Sequence, residues 1–440
     1  MASSIEKEIQ RNNSKIFRRA FIKRRELATG LFEDDWVEIT ADVKRWGKIS
    51  NSVDTQRVNV FKYGNVSMQL SNYSGKYNIE SDQASIWYGY ASQQRTLLKI
   101  EAGFEYQTLG VDGIWTTFEY PTNSCVFTGI ISGEMNVTSE NDITFVVKPL
   151  VQIFSDYPAR YLDLPTGGMC ASAFIELLRD TIDIYGNYIF RPFFGAGSTT
   201  DWIITTTTIN YGSLNPSQDH GVYSKNVWEV IQQLAEVEGF SPTVNRNGQF
   251  IFGPKTADST TSFEFYGVGN RNTEYGHTIK KINSYGKKFN NYYSRIEVKW
   301  TDDDTSTATI VKEAPFFIAG NNTPWNLGVK TYRLENLWIP DTATATNISE
   351  SLWNELSTLK NYVQFTTSFI PHLDLLSKSN MSFDSSETDP ISLWDNNDWD
   401  DLEWDANIGE PINLRNQDIN ALSVEIDLDK LESVFTGSEI

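Results

Sequence analysis

The chain has 440 residues, 40% hydrophobic and 13% aromatic, which is enough apolar material for two to four packed domains and excludes a disordered chain. Its formal charge of -20, from 37 basic and 57 acidic residues, argues against tight non-specific DNA binding, which needs clustered Lys and Arg. No apolar run approaches the roughly 18 residues of a membrane helix, residues 1–25 lack a signal-peptide core, and two cysteines cannot build a disulfide framework.

Residues 1–25 carry eight basic side chains against Glu6 and Glu8, a net +6 that leaves -26 on the other 415 residues. Such asymmetry marks either an arm docked on another chain or a solvated terminus. Arg18, Arg19, Arg24 and Arg25 are the interface candidates of such an arm.

Residues 26–155 read as a first β-barrel domain. Val66, Met68 and Leu70 alternate as one buried face requires. Leu97 to Tyr106, Trp115 to Phe118, Val126 to Ile130 and Ile143 to Val147 follow as short strands, broken at Asn72–Gly75, Asp112–Gly113 and Gly133. This spacing of strands and turns suits a barrel or sandwich.

Residues 156–255 read as an α+β insertion domain. Cys170, Phe174, Leu177 and Leu178 share a helix face. A second helix begins at Asn226, with Glu229 completing a capping box, and stops at Gly239. Asn247-Gly248 then signals a hairpin, because a type I′ turn needs positive φ at both positions.

Residues 256–378 read as a second β-barrel domain, with Phe263, Phe265, Ile296, Val298, Trp300, Val363 and Phe365 on its strands. A helix is expected over 348–360, capped by Asn347 and Glu350, with Ile348, Leu352, Leu356 and Leu359 on its apolar face. Residues 379–410 are an acidic Trp-rich excursion. Ser379–Glu410 holds ten acids and no Lys or Arg, with a five-residue echo at Trp394, Trp399 and Trp404 that matches neither helix nor strand. Residues 411–440 complete the last β domain through Val424, Ile426 and Leu428. The fold class is thus mainly β with an α+β insertion, two β-barrel-like domains flanking a small helix-containing one.

Catalytic signatures are scarce. No P-loop, dinucleotide fingerprint, His-Glu-x-x-His or Gly-x-Ser-x-Gly occurs. His220, His277 and His372 stand alone and read as surface or hydrogen-bonding residues. Cys125 and Cys170 read as small buried hydrophobes. Among 57 acids no pair stands out as the two carboxylates of a glycosidase. Asp395, Asp398, Asp400 and Asp401 have oxygen ligands for calcium, but not the spacing of an EF-hand, and read as a solvated acidic loop. No catalytic, cofactor or metal residue is therefore assigned.

Three stretches resemble the baseplate or tail-tip hub proteins of tailed bacteriophages. The first is Trp36-Val-Glu-Ile-Thr40 with Asp42-Val-Lys-Arg-Trp46-Gly47, Val66-Ser-Met-Gln-Leu70 and Asn72-Tyr-Ser-Gly75. The second is Leu98-Lys-Ile-Glu-Ala-Gly103-Phe with Val126-Phe-Thr-Gly129-Ile-Ile, which looks like a strand pair of that family's first barrel. The third runs from Asn226 to Phe240 and into the Asn247-Gly248 hairpin. The resemblance covers most of residues 30–380. The basic arm and the Trp pentads depart from the pattern.

The resemblance implies two related β-barrels with an α+β insertion, closed as a homotrimer ring that is not an enzyme. Such a ring joins the tail tube, or a distal tail ring protein, to a central spike or fibre protein. It lines the path of the tape measure protein and of DNA that passes without specific binding. An acidic lumen would repel phosphate. Location in the virion, at the tail tip or baseplate, after assembly in the host cytoplasm, is implied as well. Trp394, Trp399 and Trp404 are candidate aromatic anchors of an interface. A carbohydrate-binding tail component that contacts the host surface is an alternative reading, and a tail-associated cell-wall hydrolase is a third.

Overall fold

A computed structural model describes residues 14–54, 60–78, 83–91, 96–109, 115–137, 141–162, 168–197, 199–209, 211, 225–254, 261–267, 277–287, 292–301, 307–313, 330–336, 338–358, 360–384 and 413–439. The chain is mainly β, in keeping with its wealth of aromatic residues.

The first β unit is a curled eight-stranded sheet. Its backbone is the antiparallel run Val37–Glu38, Lys15–Lys23, Leu97–Leu109, Cys125–Val137, Asp142–Pro149, Val66–Ser71 and Val43–Arg45, with Trp115–Tyr120 added to Leu97–Leu109. The alternating Val66, Met68 and Leu70 are fully buried, so the period-two pattern did select the core face.

The second β unit is a closed barrel of six strands. The order is Lys378–Asp384, Phe263–Tyr266, His277–Lys287, Asn361–Ser368, Glu432–Glu439 and Asn413–Asp427, and the last pairs back to the first. Closure removes the unpaired edges that an open sheet would expose. Phe265, Phe365 and Phe435, from three different strands, fill the interior, with ring centroids 4.8 to 5.4 Å apart. Lys48–Val53 adds to this sheet beside Ser423–Asp427, and Phe61–Tyr63 pairs with it in turn. The chain therefore enters the second β unit long before it completes the first. The two β units share one apolar core, from Ala20 through Ile49 to Phe435.

Between them lies the α+β unit. Helices Gln152–Asp156, Ala171–Asp180 and Val227–Glu238 pack on a three-stranded sheet of Trp202–Ile204, Phe250–Phe252 and Thr243–Val244. Asn226 accepts from the Glu229 amide while Glu229 accepts from the Asn226 amide, and Gly239 adopts the left-handed stop. Both ends of this helix are those read from the sequence.

Two expectations need correction. Ile296, Val298 and Trp300 do not line the second barrel. Their strand, Arg295–Thr301, forms a separate sheet with Thr307–Glu313 and Thr331–Glu335, and its apolar face joins the core of the α+β unit. The helix expected over 348–360 spans Thr342–Leu356 and is capped by Asp341, whose carboxylate accepts from the Thr344 amide. Asn347 lies inside it. Packing of Ala345, Ile348, Leu352 and Leu356 outweighs the weak helix propensity of the threonines in its first turn.

Candidate functional site

The four arginines assigned to an arm are tied within their own chain. Lys15–Lys23 is a regular strand of the first sheet, with Ala20 and Ile22 turned into the core and Phe17 buried on the other face beneath Arg19. Arg18 donates to the Leu428 carbonyl at 2.5 Å and lies over the Trp46 ring. Arg19 meets Glu119 at 2.6 Å and Glu105 at 3.5 Å on neighbouring strands. Arg24 forks onto Glu33, donates to the Ile86 carbonyl and covers the Tyr90 ring. Arg25 donates to the Gly30 carbonyl. A basic cluster in sequence here has partners on the first sheet, in its connecting loops and, through Leu428, beside the barrel. Trp394, Trp399, Trp404, the four aspartates beside them and His220 lie outside the described residues.

The three units meet at the Asn245–Gln249 turn. Gly248 takes φ +84° and packs near Leu150 and Thr128. Asn247 receives a bond from Asn123. The Arg246 carbonyl accepts from the Cys125 thiol at 3.1 Å and the Thr128 hydroxyl at 2.8 Å, both on the first sheet. The Arg246 guanidinium reaches the other way, to Asp374 at 2.8 Å and the His372 carbonyl at 2.9 Å, beside the barrel. One residue thus clamps the α+β hairpin to both β units. His372 is packed between the Tyr120 and Phe263 rings, 5.1 and 5.2 Å away. Burial pushes the Cys125 thiol up, so it stays protonated and donates.

Arg246→Ala is expected to lower stability by about 2 kcal/mol, since it removes charge-assisted bonds while Asp374 stays half exposed and screened. Arg246→Lys recovers only part of this, because an ammonium cannot fork. A urea midpoint unchanged in Arg246→Ala would show the clamp to be dispensable.

Beneath the turn is a cavity of about 230 Å³. Its walls come from all three units and include Ile49, Val126, Val244, Leu373 and Ile426, with Arg246 and Asp374 among the lining residues. Ser241 also lines it. The Ser241 hydroxyl is buried and has no hydrogen-bond partner among the described residues.

A second polar cluster sits inside the α+β unit. Ser172 and Thr207 exchange hydrogen bonds with each other's backbone amides, and the Cys170 thiol lies 3.3 Å from the Ser172 hydroxyl. Tyr211 donates to Glu238 at 2.8 Å. Cys170 is therefore the half-buried cap of a helix rather than part of its apolar face. Burial raises the Glu238 carboxyl, against the hydrogen bonds from Tyr211 and Thr207 that lower it. Its folded pKa is above the ordinary 4.5, so the folded state binds more protons in that window and stability falls as pH rises through it. Glu238→Gln is expected to flatten the urea midpoint between pH 4.5 and neutrality. An unchanged slope would assign the dependence to other groups.

Among the described residues no three His, Cys, Asp or Glu side chains converge as a metal site, and no helix is long and apolar enough to cross a membrane. The arrangement offers contact faces and a junction cavity.

No family model matches the sequence, and no curated protein does. Solved structures do. A tail protein from Neisseria meningitidis superposes with TM-score 0.50 at 10% identity, over 96% of each chain. A prophage MuSo2 tail protein from Shewanella oneidensis gives TM-score 0.46 at 10% identity, over 96% of this chain and 98% of the other. A prophage tail protein from Listeria monocytogenes gives 0.44 at 9%, over 96% and 94%. The chain has, almost from end to end, the fold of the Neisseria meningitidis tail protein.

Proposed function

We propose that the chain is a structural component of a phage tail, the hub of a tail tip or baseplate. It closes as a ring of three that joins the tail tube to a central spike or fibre and lines the path of tape measure and DNA. The observation that carries this reading is the architecture itself. A curled sheet and a closed barrel share one core and bracket an α+β unit, as in a whole chain of the same length class that is a tail protein. Its working parts are then contact faces, and a closed ring requires matched surfaces on two sides of each protomer. The charge of -20 suits a wall past which polyanionic DNA must slide without sticking.

The test is the mass and shape of the purified full chain. Sedimentation is expected to give three copies, and electron microscopy a three-fold ring with a central opening. A monomer at every concentration, with no ring, would remove the reading.

A further inference from the structure

Residues 179–191 project an apolar turn from the α+β unit. Backbone bonds join Asp183 to Asn187 and Thr181 to Ile189, and Ile182 stands opposite Tyr188. The Asp183 carboxylate accepts from the amides of Tyr185 and Asn187, and Gly186 takes φ +85°, which only glycine adopts readily. The turn is thus fixed in shape by its own bonds. At its apex Ile184 is 91% and Tyr185 82% exposed. Ile182 and Tyr188 on the next rung are exposed as well, and so is Tyr161, which joins them through Tyr157, whose ring meets those of Tyr161 and Phe190. A cluster of this kind, unlike a single exposed apolar residue, marks a contact surface.

The side chains are ordered along the turn. Ile184 and Tyr185 hold the apex. Tyr188 follows, with the Arg191 guanidinium 3.6 Å over its ring. At the base Arg179 and Arg191 share Asp180. Arg160 repeats the pairing over Tyr161 at 4.9 Å. Two residues of chain separate the Ile182–Tyr188 rung from the apex, about 7 Å at roughly 3.3 Å per residue. The Arg191 cation therefore lies about 7 Å behind the apolar tip.

Three observations select a phospholipid bilayer as the occupant. The order of apolar tip, phenol and guanidinium is the order of a membrane interface. Apolar groups there sink roughly 5–10 Å, tyrosine sits at headgroup level, and arginine bonds phosphate. The 7 Å offset falls within that depth. The tip is also convex, so a protein partner would need a cavity matched to it, whereas fluid lipid closes around it. Finally, residues 179–191 hold two arginines and two aspartates and so have no net charge, in a chain of -20, and Arg160 adds a positive charge beside them. The turn is thereby spared the repulsion that the rest of the chain meets at lipid phosphates. Asp183 sets the limit of entry. Bonds from the Asn187 and Tyr185 amides hold its carboxyl below the usual carboxylate range, so it stays charged and keeps the tip in the hydrated headgroup layer.

We propose that the Thr181–Ile189 turn inserts into the interface of a phospholipid bilayer, with Ile184 and Tyr185 below the headgroups and Arg160 and Arg191 on lipid phosphates. This contact is a function beyond the joining of tail parts, and it holds for one copy or for a ring. Several copies in one assembly would strengthen it by avidity.

The test floats the full chain with phosphatidylcholine vesicles on a density gradient. The native protein is expected to float. Ile184→Ser and Tyr185→Ser, at exposed positions where folding is not at stake, are each expected to lower the partition coefficient about ten-fold, roughly half the effect of fully burying such a side chain. Ile184→Trp is expected to raise it, since indole favours the interface. A photo-crosslinking azidophenylalanine at position 184 is expected to gain the mass of a lipid on illumination. A native chain that stays unbound at every vesicle concentration overturns the insertion, and so does equal flotation of the native chain and Ile184→Ser. Crosslinks from position 184 that join protein and never lipid, with vesicles present, overturn it in favour of a protein partner. None of these results bears on the ring, which sedimentation decides.

Discussion

Gly47→Ala is expected to destabilise the protein by about 3–4 kcal/mol, the sum of left-handed backbone strain and a steric clash. Gly47 has φ +75°, and a Cβ built on it would lie 2.3 Å from the Ser67 carbonyl oxygen. That neighbour is backbone of the strand Val66–Ser71 and cannot swing aside. The position matters because the chain changes sheets here. Val43–Arg45 belongs to the first β unit and Lys48–Val53 to the sheet of the barrel. The Gly47 amide and that of Trp46 donate to the Asp429 carboxylate, and the Gly47 carbonyl accepts from Leu428. Gly89→Ala is the control, since Gly89 has φ +81° and nothing within 4 Å of an added Cβ. It should cost only the backbone strain, about 1–2 kcal/mol. If urea denaturation gives both variants the same loss, the close approach at Gly47 is softer than the geometry implies.

The same crossing shows what a sequence displays and what it hides. Val66, Met68 and Leu70, the Asn226 capping box and the presence of a hairpin at Asn247-Gly248 are legible because each depends on residues within one strand, one helical turn or one hairpin, although the turn is not type I′: the loop has three residues, Arg246–Gly248, and only Gly248 takes positive φ. Lys48-Ile-Ser-Asn-Ser-Val53 carries no such pattern. It is a strand because Ser423–Asp427, some 370 residues on, lies beside it. Membership of a sheet is a tertiary fact. Ile296, Val298 and Trp300 looked like barrel residues for the same reason, since alternation reports a buried face but not what covers it. The arginines of residues 18–25 show the opposite case. Their charges cluster along the chain while their partners, Glu119, Glu33 and Leu428, do not. The junction cavity could not be read at all, because Ile49, Val126, Ser241 and Leu373 converge only through folding, although the Asn247-Gly248 signal marked its rim.

Phe154→Ala is expected to cost about 3–5 kcal/mol, the range for removing a fully buried aromatic ring. Phe154 is the hub of the α+β core. Its ring stacks on Phe194 at 4.8 Å and 12°, and meets Phe190 and Phe250 at 5.1 Å, Trp202 at 6.1 Å and Trp228 at 6.2 Å. Helices and sheet all lean on this one side chain, so the void cannot be closed by the movement of a single neighbour. Phe154 also follows the last strand of the first sheet by only a few residues. Its loss therefore loosens the unit that holds the Arg246 clamp and part of the wall of the junction cavity. The cores of the α+β unit and of the paired β units are separate clusters. Amide exchange in Phe154→Ala is accordingly expected to rise in Gln152–Asp156, Ala171–Asp180, Val227–Glu238 and Phe250–Phe252, while Asn361–Ser368 and Glu432–Glu439 in the barrel keep their protection. Equal loss in the barrel would mean that the Arg246 contacts couple the units into one cooperative structure. In that case Arg246→Ala should uncouple them and restore the difference, because the guanidinium is the link by which the turn holds Asp374 and the His372 carbonyl.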